Sequence, residues 1–316
     1  MLLAGLLSTP ALSRESGPAS AERSTVAPLA AESLMLDGAA VETLTVAVGE
    51  RGHVLISEDR GRTWKQAEVP SRATLTGVHF HDAELGWAVG HDATILRTTD
   101  GGRSWERVYY DPDEESPLFD IWFSDADNGF AVGAYGLFLA TSDGGATWEQ
   151  RLISEYDDFH LHHIARSDSG RLYIAAEAGT VYRSDDGGQS WISLPSPYAG
   201  SFFGTLPLGG DTLLLFGLRG HLFRSEDAGA TWVEIETGTV AMLTSGLRTN
   251  SGTVIVAGHK GTLLLSDDEG VGFFLRELSD RQALSSVIQT SDDAVMLIGE
   301  FGVNRLDAKN AETPAP

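Results

Sequence analysis

Acidic residues recur along this chain in eight-residue segments that each end in tryptophan, as in Thr98-Thr99-Asp100-Gly101-Gly102-Arg103-Ser104-Trp105. Repeated acids beside aromatic rings are typical of carbohydrate enzymes, in which carboxylates transfer protons at the glycosidic bond. A catalytic centre needs groups that converge on one point, whereas each repeat here carries one carboxylate in register. In a tight turn such an Asp accepts hydrogen bonds from backbone N–H groups, and the Trp packs between repeats. We therefore predict no catalytic residues and assign a structural role to ten residues of these segments: Asp59, Trp64, Asp100, Trp105, Asp143, Trp148, Asp186, Trp191, Asp227 and Trp232.

A second group with chemical potential is His160-Leu161-His162-His163. On a β-strand, His160 and His162 fall on one side and His163 on the other. Two imidazoles at this spacing can chelate zinc or copper, with Asp157 or Asp158 as a third ligand. The alternative is packing, because His79 occupies the same register two repeats earlier. We predict no metal site and no cofactor.

The repeat spacing indicates the elements that position these residues. The five tryptophans and Phe273 stand 41, 43, 43, 41 and 41 residues apart, and periods of this length are typical of a four-stranded propeller blade. A short apolar run, in most copies ending in glycine, precedes each segment and occurs seven times: residues 45–49, 87–90, 130–133, 173–176, 214–217, 255–258 and 296–299. We predict an all-β, seven-bladed β-propeller of four-stranded antiparallel blades.

The second period shows the expected strand order A, B, C and D, at residues 75–80, 86–89, 94–98 and 104–108, with A innermost. The seventh period has no fourth strand, because residues 310–316 are polar and rich in proline. Sheets avoid unpaired edges. We therefore expect the ring to be closed by an N-terminal strand at residues 25–30, just before strand A at residues 34–36. The expected domains are a signal-like or disordered segment at 1–24, the propeller at 25–307 and a disordered tail at 308–316.

Composition excludes several function classes. The 22 basic and 45 acidic residues give a net charge of −23, which repels nucleic acid and anionic lipid. The absence of cysteine excludes thiolate catalysis, thiolate metal sites, disulfides and a lipidated Cys anchor. No apolar run is long enough to span a bilayer. We expect a monomer that is not membrane-spanning.

The N-terminus resembles a secretory signal. Met1-Leu2-Leu3-Ala4-Gly5-Leu6-Leu7, followed by Ala19-Ser20-Ala21, has the apolar stretch and small-residue cleavage site of such a signal, without a preceding Lys or Arg. We expect a periplasmic or otherwise exported protein whose signal peptide is truncated at its start, and the alternative is a disordered tail.

The pattern S-x-D-x-G-x-[ST]-W resembles the bacterial neuraminidase (BNR) or Asp-box repeat. Its combination with runs such as Gly86-Trp87-Ala88-Val89-Gly90 resembles the photosystem II stability and assembly-factor propellers and their relatives in non-photosynthetic bacteria, over about residues 30 to 307. The resemblance implies a non-enzymatic, lumenal or periplasmic assembly factor for membrane-protein complexes, with a basic patch in the recognition surface.

The turns between strands B and C, here called the B–C tips, vary from blade to blade. Loops on a rigid scaffold carry function, so we predict a binding ring that mixes charges and aromatics: Glu50, Arg51, His91, Asp92, Tyr135, Glu177, Arg219, His259, Lys260, Glu300 and Phe301. The alternative is a set of solvated hairpin tips. On the same face, the acidic crossovers at 111–115 and 155–158 suit a basic partner or a divalent cation, or are simply solvated.

Three functions remain open. The first is a periplasmic scaffold that binds a membrane-protein complex or subunit, such as a transporter. The second is a sialidase- or xyloglucanase-like glycoside hydrolase, in which a carboxylate pair such as Asp120 with Glu177 acts near the axis. The third is a polysaccharide- or peptide-binding propeller. The arginines Arg97, Arg183 and Arg224 share one strand-C register, which favours a repeat feature over a sialidase arginine triad.

Overall fold

The computed structural model describes residues 22–155 and 157–307 and shows seven antiparallel sheets in chain order. The predicted seven-bladed propeller is confirmed. The strands of blades one to three are β1 (Met35–Val41), β2 (Leu44–Gly49), β3 (Val54–Ser57), β4 (Lys65–Ala67), β5 (Leu75–Phe80), β6 (Gly86–Gly90), β7 (Thr94–Thr98), β8 (Glu106–Tyr109), β9 (Leu118–Phe123), β10 (Gly129–Gly133), β11 (Phe138–Thr141) and β12 (Glu149–Arg151). Those of blades four and five are β13 (Leu161–Arg166), β14 (Leu172–Ala176), β15 (Val181–Ser184), β16 (Ile192–Ser193), β17 (Phe202–Gly209), β18 (Thr212–Gly217), β19 (Leu222–Ser225) and β20 (Val233–Ile235). Blades six and seven contain β21 (Leu243–Arg248), β22 (Val254–Gly258), β23 (Thr262–Ser266), β24 (Phe274–Glu277), β25 (Leu284–Gln289), β26 (Val295–Gly299) and β27 (Gly302–Leu306).

The first strand of each blade, strand A, lies innermost. Each strand A contacts the A strands of both neighbouring blades, and β25 contacts β1, which closes the ring. The middle strands are almost fully buried. Their side chains form apolar clusters between consecutive blades, so the core is a series of interblade layers rather than one central core.

Every strand A carries a β-bulge at its second residue. In blade four, for example, Leu161 pairs with Ala176 and His163 with Ala175, which leaves His162 as the extra residue. The same shift occurs in the other six blades. A bulge places two consecutive side chains opposite one partner residue. The second and third residues of strand A therefore both face the axial channel, which strict alternation does not predict.

Six blades have four strands, and among the described residues blade seven has three, β25, β26 and β27. The prediction that residues 25–30 supply its fourth strand is wrong. Ala27 N–H donates to the side chain of Gln66 on β4, and the Gln66 amide donates to the Thr25 carbonyl. Pro28, in the middle of the segment, has no N–H to give a ladder. The segment packs instead as irregular chain between blades seven and one, with Ala30 buried beside Ile298.

Residues 1–21 of the predicted segment at 1–24, the predicted tail at 308–316, and Tyr156 lie outside the described residues. Within the described part of the chain, no helix is long and apolar enough to cross a bilayer.

Candidate functional site

The Asp boxes lie on the C–D turns and satisfy their hydrogen bonds internally. In the second box, Asp100 Oδ1 accepts from the Thr98 hydroxyl and from Ser104 N–H, and Oδ2 accepts from the Ser104 hydroxyl at 2.6 Å. The Thr98 oxygen in turn accepts from Gly102 N–H. The same pattern repeats around Asp59, Asp143, Asp186 and Asp227.

These hydrogen bonds stabilise the charged form of each carboxylate. Hydroxyl and backbone donors lower the pKa of Asp186 to about 2, and they lower the pKa of Asp59, Asp143 and Asp227 as well. A general acid needs a raised pKa and a free proton. The box carboxylates have neither, and each one lies in its own blade.

The box tryptophans pack between blades. Trp105, Trp148 and Trp191 each meet a phenylalanine edge to face, at centroid distances of 6.1, 5.9 and 5.8 Å. Trp64 and Trp232 are half-buried against the clusters of their own interfaces.

The B–C tips lie on the opposite face, beside the D–A crossovers. In every blade the first tip residue donates its backbone N–H to the carbonyl of the residue just before strand A, as Glu50 does to Leu34. The other six bonds join 91 to 74, 134 to 117, 177 to 160, 218 to 201, 259 to 242 and 300 to 283. This bond fixes each tip beside the inner end of strand A, next to the channel.

The second tip residue adopts a left-handed backbone conformation in six blades. These residues are Arg51, Asp92, Tyr135, Ala178, Arg219 and Lys260, with φ between 53° and 59°. All six are exposed. The left-handed conformation costs free energy for a non-glycine residue. Its recurrence shows that the six tips share one defined backbone conformation.

Charge divides this face into two arcs. The exposed cations Arg51, Arg219 and Lys260 stand on blades one, five and six. Asp92 and Glu177 stand on blades two and four, and the acidic crossovers run between blades two and four. The arc of blades five, six, seven and one also carries the carboxylates of Glu50 and of Glu300, which accepts a bond from Ala283 N–H. The remaining predicted tip residues keep these positions: Glu50, His91 and His259 at the first tip position, and Phe301 half-buried against the blade six–seven core.

An aromatic and histidine group, here called the mouth cluster, lies where the channel opens on this face. It consists of Phe119, Tyr135, His160, His162 and Phe203. Tyr135 packs edge to face on His160 at 4.8 Å, Phe119 lies 5.7 Å from His162, and His162 lies 4.8 Å from Phe203. Tyr135 remains 63% exposed. Phe119 and Phe203 were not among the predicted binding residues, although both directly follow the first residue of strand A, a position that the repeat defines.

The Nδ1 atoms of His160 and His162 are engaged by backbone groups. His160 Nδ1 accepts from Tyr135 N–H at 3.0 Å, and His162 Nδ1 donates to the Phe202 carbonyl at 2.8 Å. Among the described residues, no group of three potential ligands has the geometry to hold a metal ion. His162 and His163 were expected on opposite sides of the strand. This expectation is wrong, because the bulge makes both side chains line the channel.

Deeper in the channel, Asp37, Asp120 and His163 form an axial cluster around a cavity of about 150 Å³. Asp37 accepts from Val78 N–H and the Ser286 hydroxyl, and Asp120 accepts from Ile164 N–H and Ile121 N–H. The bonds from Val78, Ser286 and Ile164 join neighbouring blades, whereas the bond from Ile121 lies within β9. His163 Nε2 lies 3.8 Å from Asp120 Oδ2.

Burial dominates the titration of this cluster. Loss of water raises the pKa of Asp120 from 3.8 to about 7, and burial together with the charge of Asp120 raises that of Asp37 to about 6. Burial lowers the pKa of His163 to about 4. The carboxylate that interacts with Asp120 is therefore Asp37, whereas Glu177 faces His160, with Oε2 lying 3.7 Å from Nδ1.

Comparison with known proteins assigns the fold to a family. The sequence matches the family described as "Photosynthesis system II assembly factor YCF48" over residues 56–119 and 111–270, which is more than half of the chain. The chain belongs to this family. The predicted resemblance is thereby confirmed.

Individual members of the YCF48 family match over shorter stretches. The chloroplastic photosystem II stability/assembly factor HCF136 of Cyanidioschyzon merolae is 34% identical over 91 residues, which are 27% of this chain and 21% of that protein. The photosystem II assembly protein Ycf48 of Thermosynechococcus vestitus is 42% identical over 43 residues, 14% of this chain and 12% of that protein. The alignments thus span about a fifth or less of these curated relatives.

Solved structures share the fold over nearly the whole chain. A YCF48 bound to D1 peptide superimposes with a TM-score of 0.72 at 20% identity, covering 95% of this chain and 98% of the other. YCF48 from Cyanidioschyzon merolae gives 0.71 at 17% identity, covering 92% and 99%. An ancestral GH74 enzyme gives 0.69 at 12% identity, covering 88% of this chain and 46% of the enzyme.

Proposed function

We propose that this chain is a non-catalytic, exported scaffold that binds an extended segment of a membrane-protein subunit across the B–C face. The observation that carries the proposal is the rigid ring of variable tips around the mouth cluster. Aromatic anchors that are half-exposed at the centre of a polar rim are typical of protein-binding surfaces. Membership of the YCF48 family supports the proposal, as does the solved complex of a YCF48 with D1 peptide.

The charge arcs suggest how such a segment lies. Complementary charge orients a partner more than it adds affinity. An acidic or free carboxyl end suits the cations Arg51, Arg219 and Lys260, and basic side chains suit the acidic crossovers of blades two to four. The centre of the segment then covers Tyr135 and the channel mouth.

The direct test is capture of a partner from detergent-solubilised membranes of the source cells. The variant carries Arg51→Glu, Arg219→Glu and Lys260→Glu together, and we expect it to lose capture of a subunit that the wild type retains. A matched control carries Lys65→Glu, Arg103→Glu and Arg248→Glu, which change charge equally at exposed residues off this face. If the two variants captured the subunit equally well, the B–C face would be excluded as its binding surface.

Export is a separate part of the proposal. It is supported by the signal-like stretch within residues 1–21, whose apolar run and small residues fit an export signal. A fusion of the natural N-terminal segment to alkaline phosphatase tests export, because this reporter enzyme is active only outside the cytoplasm. A fusion without activity would contradict export and leave the binding proposal intact.

Two criteria distinguish the glycosidase alternative from the scaffold proposal: the contacts of the strand-C arginines and a hydrolysis assay. Arg183 Nη1 donates to the Ala228 carbonyl and Arg224 Nε to the Glu269 carbonyl, so both join one blade to the box of the next. Residues that repeat a structural role around the ring do not form a converging triad. Hydrolysis of a fluorogenic sialoside or a β-glucan by the purified protein would overturn the non-catalytic proposal.

A further inference from the structure

A cavity of about 430 Å³ opens between blades three and four on the Asp-box face, opposite the B–C tips. Trp122 and Phe130 form its aromatic wall, with ring centroids 6.4 Å apart and planes inclined by 11°. Arg151 and Arg166 line it as well, and the side chain of Gln189 comes from the blade-four box.

Comparison with the preceding interface explains why the cavity exists. Between blades two and three, Phe123 at the end of β9 stacks on Trp87, with centroids 3.5 Å apart and planes inclined by 6°. Arg166 ends β13 in the same register, pairing with Leu172 as Phe123 pairs with Gly129. Arg166 is exposed, and among the described residues the rings that contact Phe130 are Trp122 and Phe138, both of blade three. The cavity thus occupies the place that Phe123 fills one blade earlier.

The two arginines at this cavity differ in their ion pairs. Arg166 makes no ion pair within the described residues, and Arg151 pairs with Glu149 at 2.8 Å on the exposed edge strand. The Asp186 carboxylate at the rim is ionised as well, but its oxygens already accept from Ser184, Gln189 and Ser190, and it forms no ion pair with Arg166. A guanidinium without an ion-pair partner, beside aromatic rings that line a cavity, favours a planar ring that carries a carboxylate, because the guanidinium binds the carboxylate through paired hydrogen bonds.

We propose that this interblade cavity binds an aryl group bearing a carboxylate, with the ring against Phe130 and Trp122 and the carboxylate on Arg166. The ligand source is a free aromatic acid or a C-terminal aromatic residue of a peptide, since both present the same two groups. The site is independent of the B–C face.

The test is an NMR titration of the full-length protein that follows the Trp122 indole N–H. The probes are 3-phenylpropanoate and its neutral amide, and acetyl-Gly-Gly-Gly-Phe with a free or an amidated C-terminus. We expect the acids to shift the Trp122 signal saturably and the amides to bind at least about tenfold more weakly. The relative affinity of the two acids identifies the source.

Two variants locate the site. Arg166→Phe should fill the cavity as Phe123 does, and Arg166→Gln should remove the charge while leaving the cavity open. We expect each to weaken binding of the acids at least about tenfold. Arg248→Phe is the matched control. Arg248 ends β21 in the register in which Arg166 ends β13, but at that interface Leu208 and Leu214 pack in the core. Equal binding of acid and amide, unchanged binding by both Arg166 variants, or no saturable shift up to about 10 mM would overturn the proposal.

Discussion

The sixth Asp box, at residues 266–273, ends in Phe273 instead of Trp and has Gly272 where the other five carry Ser or Thr. Asp268 Oδ1 still accepts from the Ser266 hydroxyl and from Gly272 N–H. In the other boxes a hydroxyl at this position donates to Oδ2 at 2.6–2.7 Å. A Cβ placed on Gly272 lies 3.4 Å from Asp268 Oδ2, so a serine hydroxyl reaches it.

We predict that Gly272→Ser raises the free energy of unfolding by roughly 0.5–1 kcal/mol, because it restores that bond and reduces the freedom of the unfolded chain. Urea unfolding measures the change. Ser104→Gly, the reverse substitution in the second box, should lower stability by a comparable amount. A Gly272→Ser variant that is no more stable than the wild type would contradict the role given to the hydroxyl.

The axial carboxylates make stability depend on pH. The pKa of Asp120 is raised in the folded protein, so its protonated form favours folding. Its contribution is present below its ordinary pKa of 3.8 and is lost as pH rises towards about 7. His79 and His163 act in the opposite direction, because burial lowers both pKa values to about 4 and stability from these residues falls as pH drops below 6.5.

We predict that Asp120→Asn gains stability relative to the wild type as pH rises from 5 to 8, by on the order of 3 kcal/mol. The variant loses one hydrogen bond at every pH, so the informative quantity is the change of the difference with pH. The histidine contributions are common to both proteins and largely cancel. If the difference in unfolding free energy between the variant and the wild type stayed constant from pH 5 to 8, the pKa of Asp120 would not be raised in the folded protein.

At the scale of elements, the interface between blades two and three depends on Trp87 in β6. Its side chain is fully buried, stacks on Phe123 and donates its indole N–H to the Gly144 carbonyl at 3.0 Å. The bond reaches the box of the next blade, so one residue joins a middle strand, a neighbouring strand A and a C–D turn.

We predict that Trp87→Ala lowers the free energy of unfolding by about 3–5 kcal/mol, since it removes a large packed ring and leaves a cavity. Trp87→Phe keeps a ring on Phe123 and loses the indole bond, so it should cost less, about 1–2 kcal/mol. Chemical denaturation measures both. Equal losses for the two variants would mean that the bond to Gly144, rather than stacking, holds this interface.

At the scale of the whole molecule, the ring is closed by side-chain packing between blades seven and one. Ala30 is 3% exposed in the cluster that contains Met35, Leu55 and Ile298. The N-terminal segment therefore contributes to closure without adding a strand.

We predict that Ala30→Asp lowers the free energy of unfolding by about 3 kcal/mol or more, because it places a charge in an apolar layer. Val26→Asp is the matched control in the same segment, where the side chain is 59% exposed, and it should change stability by less than about 0.5 kcal/mol. Thermal unfolding compares the two. Similar melting temperatures would indicate that the segment does not hold the ring closed.

The sequence by itself determined the blade count, the strand order and the place of each Asp box. The bounds of β5 and β7 are those predicted, because the box bonds and the strand alternation are local and recur with the period. The bond from each tip to the start of strand A is local in the same sense, so the variable tips could be assigned to one face from their position in the repeat.

Only the tertiary structure decided which unrepeated side chains meet. Asp37 and Asp120 lie more than eighty residues apart in the chain, and their interaction depends on ring closure and on the bulge in each strand A. The irregular closure by residues 22–33 and the cavity beside Arg166 have the same origin. The physical reason is that a repeat pattern reports bonds within one blade, whereas these features arise from burial and contact between different blades.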